Sequence, residues 1–198
     1  MSSATPSTTS ATTSGTTSAT TSATTSSATL SVDITQLNLL LVEDNIHFRT
    51  LMRKVLQALG IDNLEETEDG IEALEVLQTK TPDLVIVDWK MDGMDGVEFV
   101  KEIRSLKGPN RFVPIIMVTG YTEERLRTTA NNAGVSGFLG KPISPKSLLG
   151  RIVDVMENPR PFFETSDFFG PDRRKTNQKF DGKDLRLHQI DPVDQQPT

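Results

Sequence analysis

Cysteine is absent from the 198 residues, and the chain has one tryptophan, one tyrosine and two histidines. Without cysteine there is no disulfide framework, no thiolate metal site and no cysteine nucleophile. No apolar run approaches the roughly 18 residues of a membrane span, and the N-terminus has neither the basic nor the apolar region of a secretory signal. The formal net charge of -6 argues against nucleic-acid binding by the whole chain. We therefore expect a cytoplasmic protein with no membrane span.

The composition divides the chain into three parts. Residues 1–35 form a tail rich in serine and threonine, with so little to bury that we expect it to be disordered. Residues 36–157 have the length and the apolar periodicity of one folded domain. Residues 158–198 form an extension that is too short and too poor in apolar periodicity for a second domain, which disfavours a DNA-binding output.

Five apolar segments alternate with five helical patterns between residues 37 and 157. The predicted strands are 37–42, 63–67, 84–87, 112–118 and 135–139, and the predicted helices are 46–59, 71–79, 97–106, 122–133 and 145–157. The helical spacing predicts that Leu51 and Ile71 share the inward faces of the first and second helices, and that Gly60 ends the first. Strands alternating with helices indicate an α/β fold with a parallel sheet covered on both faces. With five strands, we expect the flavodoxin-like order 2-1-3-4-5.

Polar side chains follow four of these strands. Glu43 and Asp44 follow the first strand, Asp88 the third, Thr119 the fourth and Lys141 the fifth. Each alone is an ordinary turn, cap or strand-exit residue, but the carboxyl ends of parallel strands meet at one rim, where open α/β sheets bind ligands. Three carboxylates close together favour a cation, and oxygen-only ligands favour Mg²⁺ over Zn²⁺. With a lysine and a threonine to hold an anion, the rim has the parts for phosphoryl transfer, and Asp88 is best placed to attack.

Five short motifs mark the strand ends and the loop after the third strand. They are Val42-Glu43-Asp44-Asn45, Val87-Asp88, Met94-Asp95-Gly96, Val118-Thr119-Gly120 and Gly137-Phe138-Leu139-Gly140-Lys141-Pro142. As an ordered set over residues 36–157, they resemble the receiver domain of bacterial response regulators.

The resemblance implies a phosphorylation site. Asp88 would accept a phosphoryl group from a phosphohistidine on a sensor kinase. Asp44 and Asp88 would coordinate Mg²⁺ together with the backbone carbonyl of Lys90, and Glu43 would act through a metal-bound water. No other cofactor is implied.

The resemblance also implies a switch. Thr119 would bond a phosphoryl oxygen and Lys141 would pair with the phosphoryl charge. Phe138 occupies the place of the family's rotating aromatic, which turns inward when Thr119 moves, so that the last helix–strand–helix face presents a new binding surface. The Lys141-Pro142 bond would be cis, which proline tolerates.

The loop after Asp88 departs from the family pattern. The family usually has Met-Pro-x-Met-Asp-Gly there, whereas this chain has Asp92 in the place of proline. Asp92 would loosen the loop and add a charge near the metal. Lys90 and Tyr121 stand at variable positions that tune phosphoryl lifetime in the family, and we expect them to moderate it.

The extension contains two phenylalanine pairs and a basic run. We expect Phe162-Phe163 and Phe168-Phe169 either to fold back on the domain as a lid or to dock a partner as a linear motif. Arg173-Arg174-Lys175 is either a solvated charge run or an anion-binding element.

The leading hypothesis is a single-domain response regulator that is not an enzyme. Its partners would be a sensor histidine kinase or a histidine phosphotransfer protein, and a downstream target protein. Alternatives are a phosphorelay intermediate, or an effector that binds a nucleotide through its basic tail. A metal-dependent phosphatase or phosphotransferase acting on small substrates is disfavoured, because no general acid or substrate-enclosing cap is evident.

Overall fold

The computed structural model describes residues 32–120, 124–164 and 168–172. The strands are β1 Leu39–Val42, β2 Leu64–Thr67, β3 Leu84–Asp88, β4 Ile115–Thr119, β5 Gly137–Gly140, β6 Phe162–Glu164 and β7 Phe169–Pro171. The helices are α1 Ile46–Ala58, α2 Gly70–Thr79, α3 Gly96–Ser105, α4 Glu124–Ala133 and α5 Pro145–Glu157, and short 3-10 helices span Ile34–Gln36 and Pro109–Phe112. The expected disorder up to residue 31, Tyr121 and the basic run at 173–175 lie outside the described residues.

Five parallel strands form one sheet in the order β2-β1-β3-β4-β5, which confirms the predicted fold class and strand order. Every residue of β1, β3 and β4 is buried, because helices cover both faces of these apolar strands. Helices α1 and α5 pack on one face, and α2, α3 and α4 pack on the other. In the part of the chain that the structure describes, no helix combines the length and apolarity needed to cross a membrane.

The helix ends follow from local sequence signals. Asn45 caps α1 by accepting hydrogen bonds from the two backbone amides of His47 and Phe48, and Gly60, with a φ of 85°, follows its C-terminal end as predicted. Asp95 and Glu98 form a reciprocal capping box at α3. These caps fix the directions in which the helices leave the carboxyl rim of the sheet.

Two inward positions predicted from helical spacing are wrong. Leu51 is 49% exposed and Ile71 is 59% exposed. The buried stripe of α1 is centred on Met52, so Leu51, one residue away around the helix, lies beside it. In α2, the buried stripe consists of Gly70, Ala73 and Leu77, and Ile71, one residue after Gly70, is turned by about 100° from it around the helix.

The ordered fold differs from the predicted segments at three other places. Val32 and Ile34, which the predicted tail included, pack against the α1 side of the core. Phe112 belongs to a 3-10 helix instead of β4, because Pro114 removes a backbone donor just before the strand. The last predicted strand begins at Gly137, two residues later than expected.

In the described part of the extension, the short strands β6 and β7 pair in antiparallel orientation as a hairpin. Phe162 is buried, and its ring centroid lies 5.4 Å from that of Phe112. Phe169 lies 5.3 Å from the same ring. These two phenylalanines therefore fold back on the parallel-sheet body, as the first of the two sequence alternatives requires.

Candidate functional site

The carboxyl rim of the sheet brings all five predicted side-chain positions together. In the strand register, Val42 pairs with Val87, Asp88 with Val118, and Thr119 with Gly140. Each predicted site residue is therefore at or just beyond the end of its strand, at the same level of the sheet. The agreement follows from the parallel topology, which places every strand's carboxyl end on one edge.

Three carboxylates form the acidic part of the rim. Glu43, Asp44 and Asp88 each offer a carboxylate oxygen, and the three oxygens lie within 4.8 Å of one another. Glu43 and Asp88 are buried, whereas Asp44 is exposed. An all-oxygen group of this size fits Mg²⁺, which takes one or two carboxylates and keeps several waters.

Burial and mutual repulsion make the carboxylate charges costly. Burial, with the charge of Asp88, raises the pKa of Glu43 to about 7 despite the opposing effect of Lys141. Burial also raises the pKa of Asp88, against the lowering effect of the Lys141 hydrogen bond and charge. The site is therefore short of positive charge, and a divalent cation would relieve that shortage.

Lys141 brings a positive charge to the carboxylates. Its Nζ lies 2.9 Å from Asp88 Oδ1 and 3.4 Å from Glu43 Oε2. Its backbone amide donates to the carbonyl of Thr119 at 2.8 Å, which fixes the end of β5 against β4. The Lys141-Pro142 peptide bond is cis, as expected.

Two residues that were not among the predicted site residues contact Glu43. Arg49 donates to the backbone carbonyl of Glu43 at 2.5 Å, and the backbone amide of Asn45 donates to Glu43 Oε1 at 3.2 Å. Both hold the strand-to-helix turn in place. The position of Asn45 just before the first helix was a usable cap signal, but an arginine reaching back over one turn leaves no periodic signal.

The loop between β3 and α3 contacts Asp44. The backbone amide of Asp92 donates to Asp44 Oδ2 at 2.9 Å. Lys90 lies in the same loop and is exposed; the role of its carbonyl as a metal ligand stays a prediction.

The two predicted switch residues stand on neighbouring strands. Thr119 is buried at the end of β4, and Phe138 is half-buried in β5 opposite Met117. Because side chains alternate along a strand, residues 117 and 119 point to the same face, which is also the face of Phe138. The Arg127 guanidinium lies 5.3 Å from the centre of the Phe138 ring. The positions are compatible with a coupled movement, which stays a prediction.

Comparison with known proteins gives a family match and individual relatives. The model of the response regulator receiver domain matches residues 39–153. The cyclic di-GMP phosphodiesterase response regulator RpfG of Xanthomonas campestris is 34% identical over 122 residues, which are 61% of this chain and 32% of that protein. Chemotaxis protein CheY-3 of Vibrio cholerae is 31% identical over 121 residues, which are 61% of this chain and 92% of that protein. The chain thus spans about a third of RpfG and nearly all of CheY-3.

A solved structure has a similar fold. It is the receiver domain of a Pseudomonas aeruginosa sensor histidine kinase, with a magnesium ion coordinated in its active-site cleft. The TM-score is 0.55 at 29% identity, over 61% of this chain and 97% of that domain.

Proposed function

The chain belongs to the response regulator receiver family, and from this premise we propose that it is a response regulator phosphorylated on Asp88. The observation that carries the proposal is the contact of Lys141 Nζ with Asp88 Oδ1 at 2.9 Å, beside carboxylate oxygens that lie within 4.8 Å of one another. A buried carboxylate paired with a lysine and flanked by metal-binding acids is equipped to accept a phosphoryl group.

The proposed reaction transfers a phosphoryl group from a histidine of the partner. An Asp88 carboxylate oxygen attacks the phosphorus, and the new P–O bond forms as the P–N bond breaks. The imidazole leaves with the electron pair of that bond and takes up a proton from solvent. The Lys141 ammonium, which pairs with Asp88 before transfer, then pairs with the phosphoryl oxygens, and Thr119 donates its hydroxyl to one of them.

Glu43, Asp44 and Asp88 would hold a magnesium ion together with the Lys90 carbonyl, with Glu43 acting through a water. The ion would supply charge neutralisation to the transferring group. Two observations support this assignment: the repulsion and burial that raise the pKa of Glu43 to about 7, and the magnesium ion in the similar Pseudomonas receiver domain.

Phosphorylation would act as a switch of protein binding, not as a step in a catalytic cycle. The added charge at the rim would draw Thr119 and let Phe138 move inward, so that the face formed by α4, β5 and α5 binds a downstream protein. The phosphodonor would be a sensor histidine kinase or a histidine phosphotransfer protein, acting in the cytoplasm.

Acetyl phosphate tests the proposal directly. The protein is incubated with it, with and without Mg²⁺, and the intact mass is measured for the wild type and Asp88→Asn. We expect a phosphoryl adduct that requires Mg²⁺ and is lost in Asp88→Asn. Trp89, next to Asp88, gives a parallel fluorescence signal. A folded, Mg²⁺-binding wild type that forms no adduct would contradict the proposal.

A further inference from the structure

One aromatic residue, Phe48, lies against the cation of the site. The Lys141 Nζ lies 4.0 Å from the centre of the Phe48 ring. Phe48 is half-buried in the first turn of α1, where its backbone amide donates to Asn45 Oδ1 at 3.0 Å and its side chain packs against the core. The helix cap therefore fixes the backbone of Phe48 and core packing holds its ring, both independently of the lysine.

The ring completes the surroundings of the ammonium group. Asp88 and Glu43 contact the ammonium with oxygens, whereas the face of the ring attracts it without adding a negative charge. The Lys141 side chain is only 27% exposed, and cation–π attraction strengthens as water is removed. A lysine side chain has a flexible four-carbon stem, so a fixed ring limits where its charge can go.

We propose that Phe48 is a positioning residue for phosphoryl transfer: its ring holds the Lys141 ammonium beside Asp88. The inference rests on the proposed function, because it assigns Phe48 a role in the same site. When the phosphoryl group occupies the Asp88 oxygen that Lys141 now contacts, that contact must change. The ring keeps the ammonium at the rim through this change, so that it meets the phosphoryl oxygens instead of moving into solvent.

The experiment compares two substitutions at position 48. Phe48→Leu keeps apolar volume but loses the aromatic face, whereas Phe48→Tyr keeps that face. We expect Phe48→Leu to slow adduct formation from acetyl phosphate about three- to tenfold, and Phe48→Tyr to remain within about twofold of the wild type. In a Lys141→Ala background, Phe48→Leu should cause no further slowing, because the ring acts through the lysine.

Val55→Ala is the control for a purely structural effect. Val55 is half-buried on the same helix and packs against the same core. This change should lower the stability of the protein to urea while leaving the rate of adduct formation unchanged. Equal rates in wild type, Phe48→Leu and Phe48→Tyr would overturn the inference, as would an undiminished effect of Phe48→Leu in Lys141→Ala.

A second readout separates this inference from the proposed function. Urea unfolding without Mg²⁺ measures whether the effects of Phe48→Leu and Lys141→Ala on stability are additive. We expect them to be non-additive, with the double variant less destabilised than the sum. If the wild type forms no adduct but the effects of the two substitutions on stability are non-additive, the proposed function fails and the contact between Phe48 and Lys141 stands. Additive effects on stability overturn the positioning role, whether or not the wild type forms the adduct.

Discussion

A Cβ atom on Gly96 would lie 2.3 Å from the main-chain carbonyl oxygen of Asp88. The same glycine donates its amide to the carbonyl of Trp89 at 2.9 Å. The start of α3 therefore folds directly back against the end of β3, and the backbone that carries Asp88 is fixed by a contact that only glycine permits. The Asp95-Gly96 turn, which the sequence marks as a loop, is in this way part of the site.

We predict that Gly96→Ala lowers the free energy of unfolding by about 1–3 kcal/mol, because the added methyl group must displace backbone atoms. The displacement of the Asp88 backbone should also slow adduct formation from acetyl phosphate. Gly150→Ala is the matched control: Gly150 is inside α5, has no atom within 4 Å of an added Cβ, and should gain up to about 1 kcal/mol from helix propensity. A Gly96→Ala protein with wild-type urea sensitivity would contradict the close contact.

The amide of Asp92 gives a second prediction. It donates to Asp44 Oδ2 at 2.9 Å, and the proline that the family usually has at this position lacks that N–H. Without Mg²⁺, Asp92→Pro should lower the free energy of unfolding by about 1–2 kcal/mol, whereas Asp92→Ala, which keeps the amide, should stay within about 0.5 kcal/mol. Urea unfolding measures both. The cost of proline should shrink when Asp44 is replaced by alanine; an equal cost in both backgrounds would show that the hydrogen bond is not its source.

The raised pKa of Glu43 predicts how stability depends on pH. Burial and the charge of Asp88 raise it from 4.5 to about 7, so the folded state binds a proton more readily than the unfolded chain. Without metal, the contribution of Glu43 to the free energy of unfolding should therefore be largest below about pH 4.5. As the pH rises to about 7, this contribution should be lost, which lowers the free energy of unfolding by up to about 3 kcal/mol. Unfolding at a series of pH values should show this slope in the wild type and a weaker one in Glu43→Gln. Mg²⁺ should flatten the wild-type slope; a slope of equal size in Glu43→Gln would assign it to other groups.

The strands whose ends form the site could be predicted because their sequence signals are local. Uniformly apolar runs mark β3 and β4 as buried strands, and in a parallel sheet every strand ends at the same rim. The gathering of Asp88 with Lys141 thus follows from topology, once the alternation of strands and helices is recognised.

Some features could not be predicted because they depend on contacts between segments distant in sequence. Ile71 fits an inward helical spacing, but the buried residues of α2 are Gly70, Ala73 and Leu77, and Met94 from another segment lies against Gly70. Phe48 resembles any apolar residue of an amphipathic helix, and its contact with Lys141 depends on how α1 and β5 meet in space. The periodicity of apolar residues does not predict such a contact, because the contact depends on tertiary packing.

Two exposed isoleucines near the rim predict where a phosphodonor docks. Ile46 begins α1 and is 53% exposed, and Ile71, near the start of α2, is 59% exposed. Both helices begin at the rim that carries Asp88, and large exposed apolar side chains are favourable contact points for a partner. Ile46→Ser and Ile71→Ser should slow phosphotransfer from a panel of ATP-phosphorylated histidine kinases about tenfold each. Adduct formation from acetyl phosphate, which needs no protein contact, should be unchanged; equal loss with both donors would refute a docking role.

The hairpin beyond α5 closes around the loop that leads into β5. Arg160 donates to the carbonyls of Val135 and Ser136 and, at 3.1 Å, to that of Asp172. Arg104, which is buried, donates twice to Gly134 of the same loop and lies 5.1 Å from the centre of the Phe162 ring. The hairpin and α3 therefore hold the loop from two sides.

These contacts predict that the folded unit continues to residue 172, past the boundary at 157 that composition indicates and past the family match, which ends at 153. A chain that stops at Glu157 would leave the Arg104 guanidinium without Phe162 above it, so we expect it to be less stable to urea than a chain that stops at Asp172.

Arg160→Ala tests the same contacts without shortening the chain. Loss of its hydrogen bonds to the loop should increase hydrogen exchange at residues 135–139 about tenfold, while the amides of β1 should change little, because the opening is local. Arg53→Ala is the matched control. Arg53 of α1 pairs at 3.4 Å with Glu66 of β2, the strand at the opposite edge of the sheet from β5, and partly exposed ion pairs of this kind contribute little. Equal increases at β1 and β5 would mean that Arg160 stabilises the whole domain rather than this loop. Unchanged exchange at residues 135–139 would mean that the hairpin only rests on the domain and that the unit ends with α5.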